Sequence, residues 1–140
     1  MSKVAVVYWS GTGNTEAMAN EVVAGAKDKG AEVSVFTASD FSAGKVAEFN
    51  AIAFGCPAMG DEVLEESEFD PMFAEVEGAL SGKKIALFGS YGWGDGQWMR
   101  DWEERCRNAG AELVTDSVTA NDAPGDDESK QCRDLGAALA

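Results

Sequence analysis

Five short apolar runs alternate with helical patterns along this chain, and that alternation limits the folds open to it. The runs cover 4–9, 32–36, 51–55, 84–89 and 112–118. They are mostly continuous rather than strictly alternating, as expected of strands covered on both faces. Between them, Met18, Ala19, Val22, Val23 and Ala26 share one helical face, as do Met72, Phe73, Val76 and Leu80, and Trp98, Met99, Trp102, Cys106 and Ala109. Gly30 and Gly110 stand where helix ends are expected, and Asp70-Pro71 reads as a helix start. A short last helix carries Cys132, Leu135 and Leu139. The segment 40–50 must hold another crossover, though only Val46 and Phe49 anchor it. Strand–helix alternation predicts an α/β fold: a parallel sheet with helices on both faces. At 140 residues the chain is most simply one domain spanning 1–140.

In such a sheet, ligands bind beyond the carboxyl ends of the strands. Three unusual loops follow strands one, three and four. The first, Ser10, Gly11, Thr12, Gly13, Asn14 and Thr15, opens a helix. A helix N-terminus offers unpaired N–H groups and partial positive charge, and the glycines let backbone close around an anion. Capping alone would need one of its four polar side chains. Neither a Walker lysine nor the third glycine of a dinucleotide motif is present, since Glu16 stands at that position. The absence of basic residues points to a terminal monophosphate held by neutral donors. The other loops, Cys56 to Glu62 and Ser90 to Asp95, supply Met59 as a soft cover and Trp93 between glycines as a stacking plate. A phosphate cradle beside a slot for a planar ring describes a mononucleotide site, and a Trp–Met sandwich points to a flavin.

Other chemistries are excluded or disfavoured. With no histidine, there is no Ser-His-Asp or Cys-His apparatus and no His-containing zinc site. The three cysteines have no C-x-x-C spacing and read as reduced and structural. A net charge of −14, from 25 acids and 11 bases, opposes nucleic-acid binding and favours basic protein partners. No apolar run approaches the ~20 residues of a membrane span. The opening Met-Ser-Lys lacks a signal-peptide layout, so a cytoplasmic location is expected.

On "VYWSGTGNTEAMA", "GCPAMGDE" and "LFGSYGWGDG", in order and correctly spaced, the sequence resembles the short-chain, anaerobe-type flavodoxins over nearly its whole length. The resemblance implies a flavodoxin-like three-layer sandwich with a five-stranded sheet in the order 2-1-3-4-5; that order comes from the resemblance, not from periodicity. It implies bound FMN, with Ser10, Gly11, Thr12, Gly13, Asn14 and Thr15 at the phosphate and Trp9 adding its indole N–H. Ala58 and Met59 would lie at the inner face of the ring, and Gly60-Asp61 near its N5. Glu62 and the backbone of Gly89, Ser90, Tyr91 and Gly92 would reach the pyrimidine edge, with Trp93 stacked outside. Asp61, Glu62, Glu65 and Glu66 are expected near the ring edge as charges opposing its reduced anion. The implied function is low-potential one-electron transfer, mainly between semiquinone and hydroquinone, by a monomer serving redox enzymes with basic docking patches, ferredoxin-type partners among them. An FMN-dependent NAD(P)H or quinone reductase on the same fold is the alternative. A phosphoacceptor receiver domain would need an Asp closing strand three, where Gly55-Cys56 stands.

Overall fold

The computed structural model describes residues 2–60, 62–92 and 94–140. Strand β1 (Lys3–Tyr8) is followed by α1 (Asn14–Asp28), β2 (Glu32–Thr37), a 3-10 turn and the four-residue α2 (Ala43–Val46). Then come β3 (Ala51–Gly55), α3 (Phe69–Val76), β4 (Lys84–Tyr91) and α4 (Gln97–Asn108). The chain closes with β5 (Glu112–Leu113), β6 (Val118–Asn121) and α5 (Asp126–Leu139). The strands form one parallel sheet in the order β2-β1-β3-β4-β5, with β6 also paired to β4.

The expected single fifth strand is two segments on one edge. Glu112 and Leu113 pair with Lys84 and Ile85, whereas Val118 to Asn121 pair with Phe88 to Tyr91. Between them lies Thr115-Asp116-Ser117, a polar stretch with little for either apolar layer, and the ladder breaks there. The sheet therefore has six strand segments rather than five, and β6 carries the edge three residues beyond the expected end. The weak 40–50 segment holds only the single turn of α2. The last helix, expected to be short, runs 14 residues.

Alternate residues along β1 enter opposite layers. Val4 and Val6 pack with Met18, Val22, Cys132 and Leu135 of α1 and α5. Ala5 and Val7 join Phe54, Phe69, Phe73, Trp98 and Trp102 on the α3–α4 side. These are the three layers expected. Helices α1 and α5 nearly touch: a Cβ on Gly25 would fall 1.9 Å from the Arg133 carbonyl oxygen, and one on Gly136 2.0 Å from that of Val22. Because every strand is parallel, β1, β3, β4 and β6 deliver their carboxyl ends to the same edge.

Candidate functional site

At that edge the first loop wraps the start of α1. Gly13 precedes the helix at φ 94°, a left-handed conformation that favours glycine. The Ser10 hydroxyl accepts hydrogen bonds from the N–H groups of Gly13 (3.1 Å) and Glu16 (3.3 Å). Ser10 thus holds the loop in shape from within. Thr15 is 1% exposed, and its hydroxyl shares a 3.1 Å hydrogen bond with that of Ser90 on β4. The Trp9 ring lies against Gly11, where a Cβ would come within 2.9 Å of the indole.

The second loop leaves β3 through Cys56. The ends of β3 and β4 approach so closely that a Cβ on Gly89 would sit 2.2 Å from the Cys56 carbonyl oxygen. The Ala58 N–H donates to the Ser90 carbonyl at 2.9 Å, joining the second loop to the third. Beyond it, the Glu62 N–H donates to the Met59 carbonyl, and the Met59 N–H to that of Val63, both at 2.9 Å. These bonds pin a tight turn around Gly60. Glu62 closes it at φ 53°, a strained conformation for a side-chain-bearing residue.

A cavity of about 300 Å³ opens between the loops. Trp9, Gly11, Thr12, Asn14 and Thr15 line it from the first loop, Ala58, Met59 and Gly60 from the second, and Ser90, Tyr91 and Gly92 from the third. Pro57 and Asp122 complete the wall. Ser10 and Gly13 instead face a neighbouring polar cavity of about 560 Å³ that reaches Tyr8, Glu16, Thr37 and Glu68. Among the described residues, no Lys or Arg lines either cavity. The Tyr8 hydroxyl donates to Glu16 at 3.1 Å, and burial, then that carboxylate, push the phenol above its ordinary value.

Not every expected residue joins the wall. Gly89 acts one layer back, as the close-packing point already described. The Glu62 carboxylate turns towards α4, where it accepts the Gln97 N–H at 3.3 Å and lies over Gly94. Glu65, expected near a ring edge, is 5% exposed and faces inward. Its carboxylate accepts from the Ser67 hydroxyl and from the N–H groups of Ser67, Glu68 and Phe69, capping the start of α3. Burial alone would raise this carboxyl, but those hydrogen bonds outweigh it and hold it below its ordinary value. Asp61 and Trp93 lie outside the described residues. Two wall residues were not among those expected: Pro57, inside the second loop, and Asp122, outside all three loops. For Asp122 the signal existed, because it follows a strand end, but that end was placed at Val118.

A groove of about 490 Å³ along α4 is lined mainly by Glu77, Asp101, Glu104, Arg105 and Asn108. Its Arg105 is already engaged by Glu77 and Asp70, at 2.8 and 2.6 Å. Burial pushes the Cys106 and Cys132 thiols up to about 12 and raises Cys56 as well. All three are neutral thiols at pH 7 rather than nucleophiles. Among the described residues no acidic, His or Cys cluster could hold a metal, and no helix is long and apolar enough to cross a membrane.

The flavodoxin family profile matches residues 6–136. The flavodoxin of Clostridium beijerinckii is 46% identical over 135 residues, covering 96% of this chain and 97% of its own. That of Megasphaera elsdenii is 47% identical over 137 residues, covering 98% of each. The solution structure of two-electron reduced Megasphaera elsdenii flavodoxin superposes with a TM-score of 0.90 at 46% identity, covering 97% of each chain. A parallel sheet in this order, cradled loops at its carboxyl edge and these matches place the chain in the flavodoxin family of FMN-binding electron-transfer proteins, which are carriers rather than enzymes.

Proposed function

We propose that the chain is a low-potential one-electron carrier, a single FMN domain over 1–140, acting as a cytoplasmic monomer between redox enzymes with basic, ferredoxin-type docking patches. When bound, FMN supplies the redox chemistry, passing mainly between semiquinone and hydroquinone, and the protein supplies binding and electrostatics. The observation that carries this reading is the meeting, at one sheet edge, of a helix N-terminus set with hydroxyls and a partly apolar slot beside it.

The residues suit FMN on three counts. Thr12, Asn14 and the backbone N–H groups at the start of α1 offer neutral donors to a phosphate, assisted by the helix dipole. Met59, Tyr91 and Pro57 give the adjoining cavity flat or soft apolar surface for a ring. The Thr15–Ser90 hydrogen bond and the Ala58–Ser90 hydrogen bond tie the three loops together into one wall.

In this reading the peptide after Gly60 reorients while the Glu62–Met59 and Met59–Val63 backbone hydrogen bonds persist. The Gly60 carbonyl turns towards the ring and accepts its N5–H, a bond worth about 1 kcal/mol. The surplus of acids opposes additional negative charge on the bound cofactor and draws in basic partners, with salt weakening both effects.

Stepwise reduction of the FMN-loaded protein, followed by visible absorption, tests the proposal. A long-wavelength blue species between the yellow and bleached forms is expected. Direct passage from yellow to bleached rejects one-electron cycling.

A further inference from the structure

A second pocket, of about 210 Å³, lies between the second loop and α4. Val63, Leu64, Trp98 and Trp102 supply its apolar lining, and Glu62, Asp70 and Asp101 its carboxylates. Two contacts set it back to back with the cofactor cavity. The Val63 carbonyl accepts the Met59 N–H at 2.9 Å, and the Trp98 ring centroid is 5.5 Å from that of Tyr91. Met59 and Tyr91 both line the cofactor cavity.

Three features of this pocket ask for an occupant. The first is charge. Arg105 is the one cation among its described lining residues, and that guanidinium is already bonded to Asp70 and Glu77. Glu62 and Asp101 accept from Gln97, through its backbone N–H at 3.3 Å and its side-chain Nε2 at 2.8 Å, and among the described residues neither pairs with a cation. The second is an indole. Trp98 donates its N–H to the Cys56 carbonyl at 3.2 Å, but the Nε1–H of Trp102, a residue 2% exposed, has no partner among the described residues. Buried donors are nearly always paired, so the pocket is short of one acceptor. The third is Val63, one of two large hydrophobic residues that stand exposed among the described residues.

A bare cation would meet the carboxylates and leave the indole and the apolar lining unanswered. A basic side chain carried on a polypeptide answers all three. Its stem lies on apolar surface while its charged head stays beside a carboxylate, and its main chain brings a carbonyl oxygen. Resting on the carrier reading above, we propose that this pocket anchors a lysine or arginine of the redox partner beside Asp101, with a main-chain carbonyl of the same segment accepting the Trp102 N–H. The anchor holds the partner next to the ring slot without occupying it.

The test is a heteronuclear NMR titration of the FMN-loaded protein with two peptides, acetyl-Gly-Leu-Lys-Leu-Gly-amide and the same peptide with norleucine in place of lysine. The lysine peptide should bind about tenfold more tightly, the worth of one hydrogen bond to a charged group, and the gap should narrow as salt is raised. Bound peptide should move the Trp102 indole N–H signal downfield and shift the amides of Val63 and Leu64. Asp101→Asn keeps an oxygen for Gln97 and should abolish most of the lysine peptide's advantage while leaving the norleucine peptide's binding unchanged. Equal affinity for the two peptides, or binding of neither, overturns the inference. So does a Trp102 signal that stays in place while the amides of Gly60, Tyr91 and Gly92 shift, which would put docking at the cofactor cavity itself. Protein that takes up no FMN overturns the carrier reading and not the pocket, which the same titration of the apoprotein still reads.

Discussion

Thr15 and Ser90 are 75 residues apart in sequence and share a hydrogen bond between hydroxyls, 3.1 Å long and sealed from solvent. One opens α1 and the other lies near the end of β4. The start of α1 is therefore fixed to the sheet through a polar tie, not through apolar packing alone.

Removing either hydroxyl leaves its partner buried and unpaired. Thr15→Val or Ser90→Ala should each cost about 1–3 kcal/mol in urea unfolding. The double variant should cost less than the sum, because no orphan hydroxyl remains. Strictly additive losses would mean that the two groups do not interact.

Glu65 makes stability depend on acid. Its folded-state carboxyl titrates below its ordinary value, so its contribution is fully present above the unfolded value near 4.5 and is lost as pH falls through the depressed folded value. Glu65→Gln should lose about 1–3 kcal/mol at pH 7. Urea unfolding curves of variant and parent should converge on acidification through that window. A gap independent of pH would show that the ionised carboxylate is not what caps α3.

Two glycine substitutions should move stability in opposite directions. A Cβ on Gly136 would meet the Val22 carbonyl oxygen at 2.0 Å, so Gly136→Ala must push α5 off α1 and should cost about 3 kcal/mol or more. A Cβ on Gly44, in α2, meets nothing within 4 Å. Gly44→Ala should stabilise by about 0.4–1 kcal/mol, largely by restricting the unfolded chain. Thermal melts of the two variants check both signs.

Gly60→Ala separates packing from redox control. A Cβ there also meets nothing within 4 Å, so stability should change little. If the Gly60 carbonyl must swing towards the cofactor, a side chain hinders that swing. The two one-electron potentials should then draw together, each by up to about 59 mV for every ~1.4 kcal/mol lost. Potentiometry showing an unchanged separation would exclude the swing as the source.

The parts of the fold visible in the sequence are those governed by local pattern. The apolar runs at β1, β3 and β4 are buried on both faces and read as continuous hydrophobic stretches. The hydroxyl- and glycine-rich loop announced itself because no core could use it. What escaped depends on contacts far along the chain. The break in the fifth strand reflects which residues meet β4, and that displaced its end and hid Asp122. Glu65 looked like one acid among many in "DEVLEESEFD", yet the start of α3 turns it inward as a cap. Glu62 lies in a motif that points to the cofactor, but its carboxylate meets the Gln97 N–H 35 residues on.

The contact of α5 with α1 bears on the order of events during synthesis. Arg133 on α5 bonds to Glu21 on α1 across 112 positions, and Gly25 and Gly136 let the two backbones nearly meet. On the ribosome, α1 emerges early but lacks this neighbour until α5 has been translated. The outer layer built from α1 and α5 can therefore close only after α5 has left the ribosome.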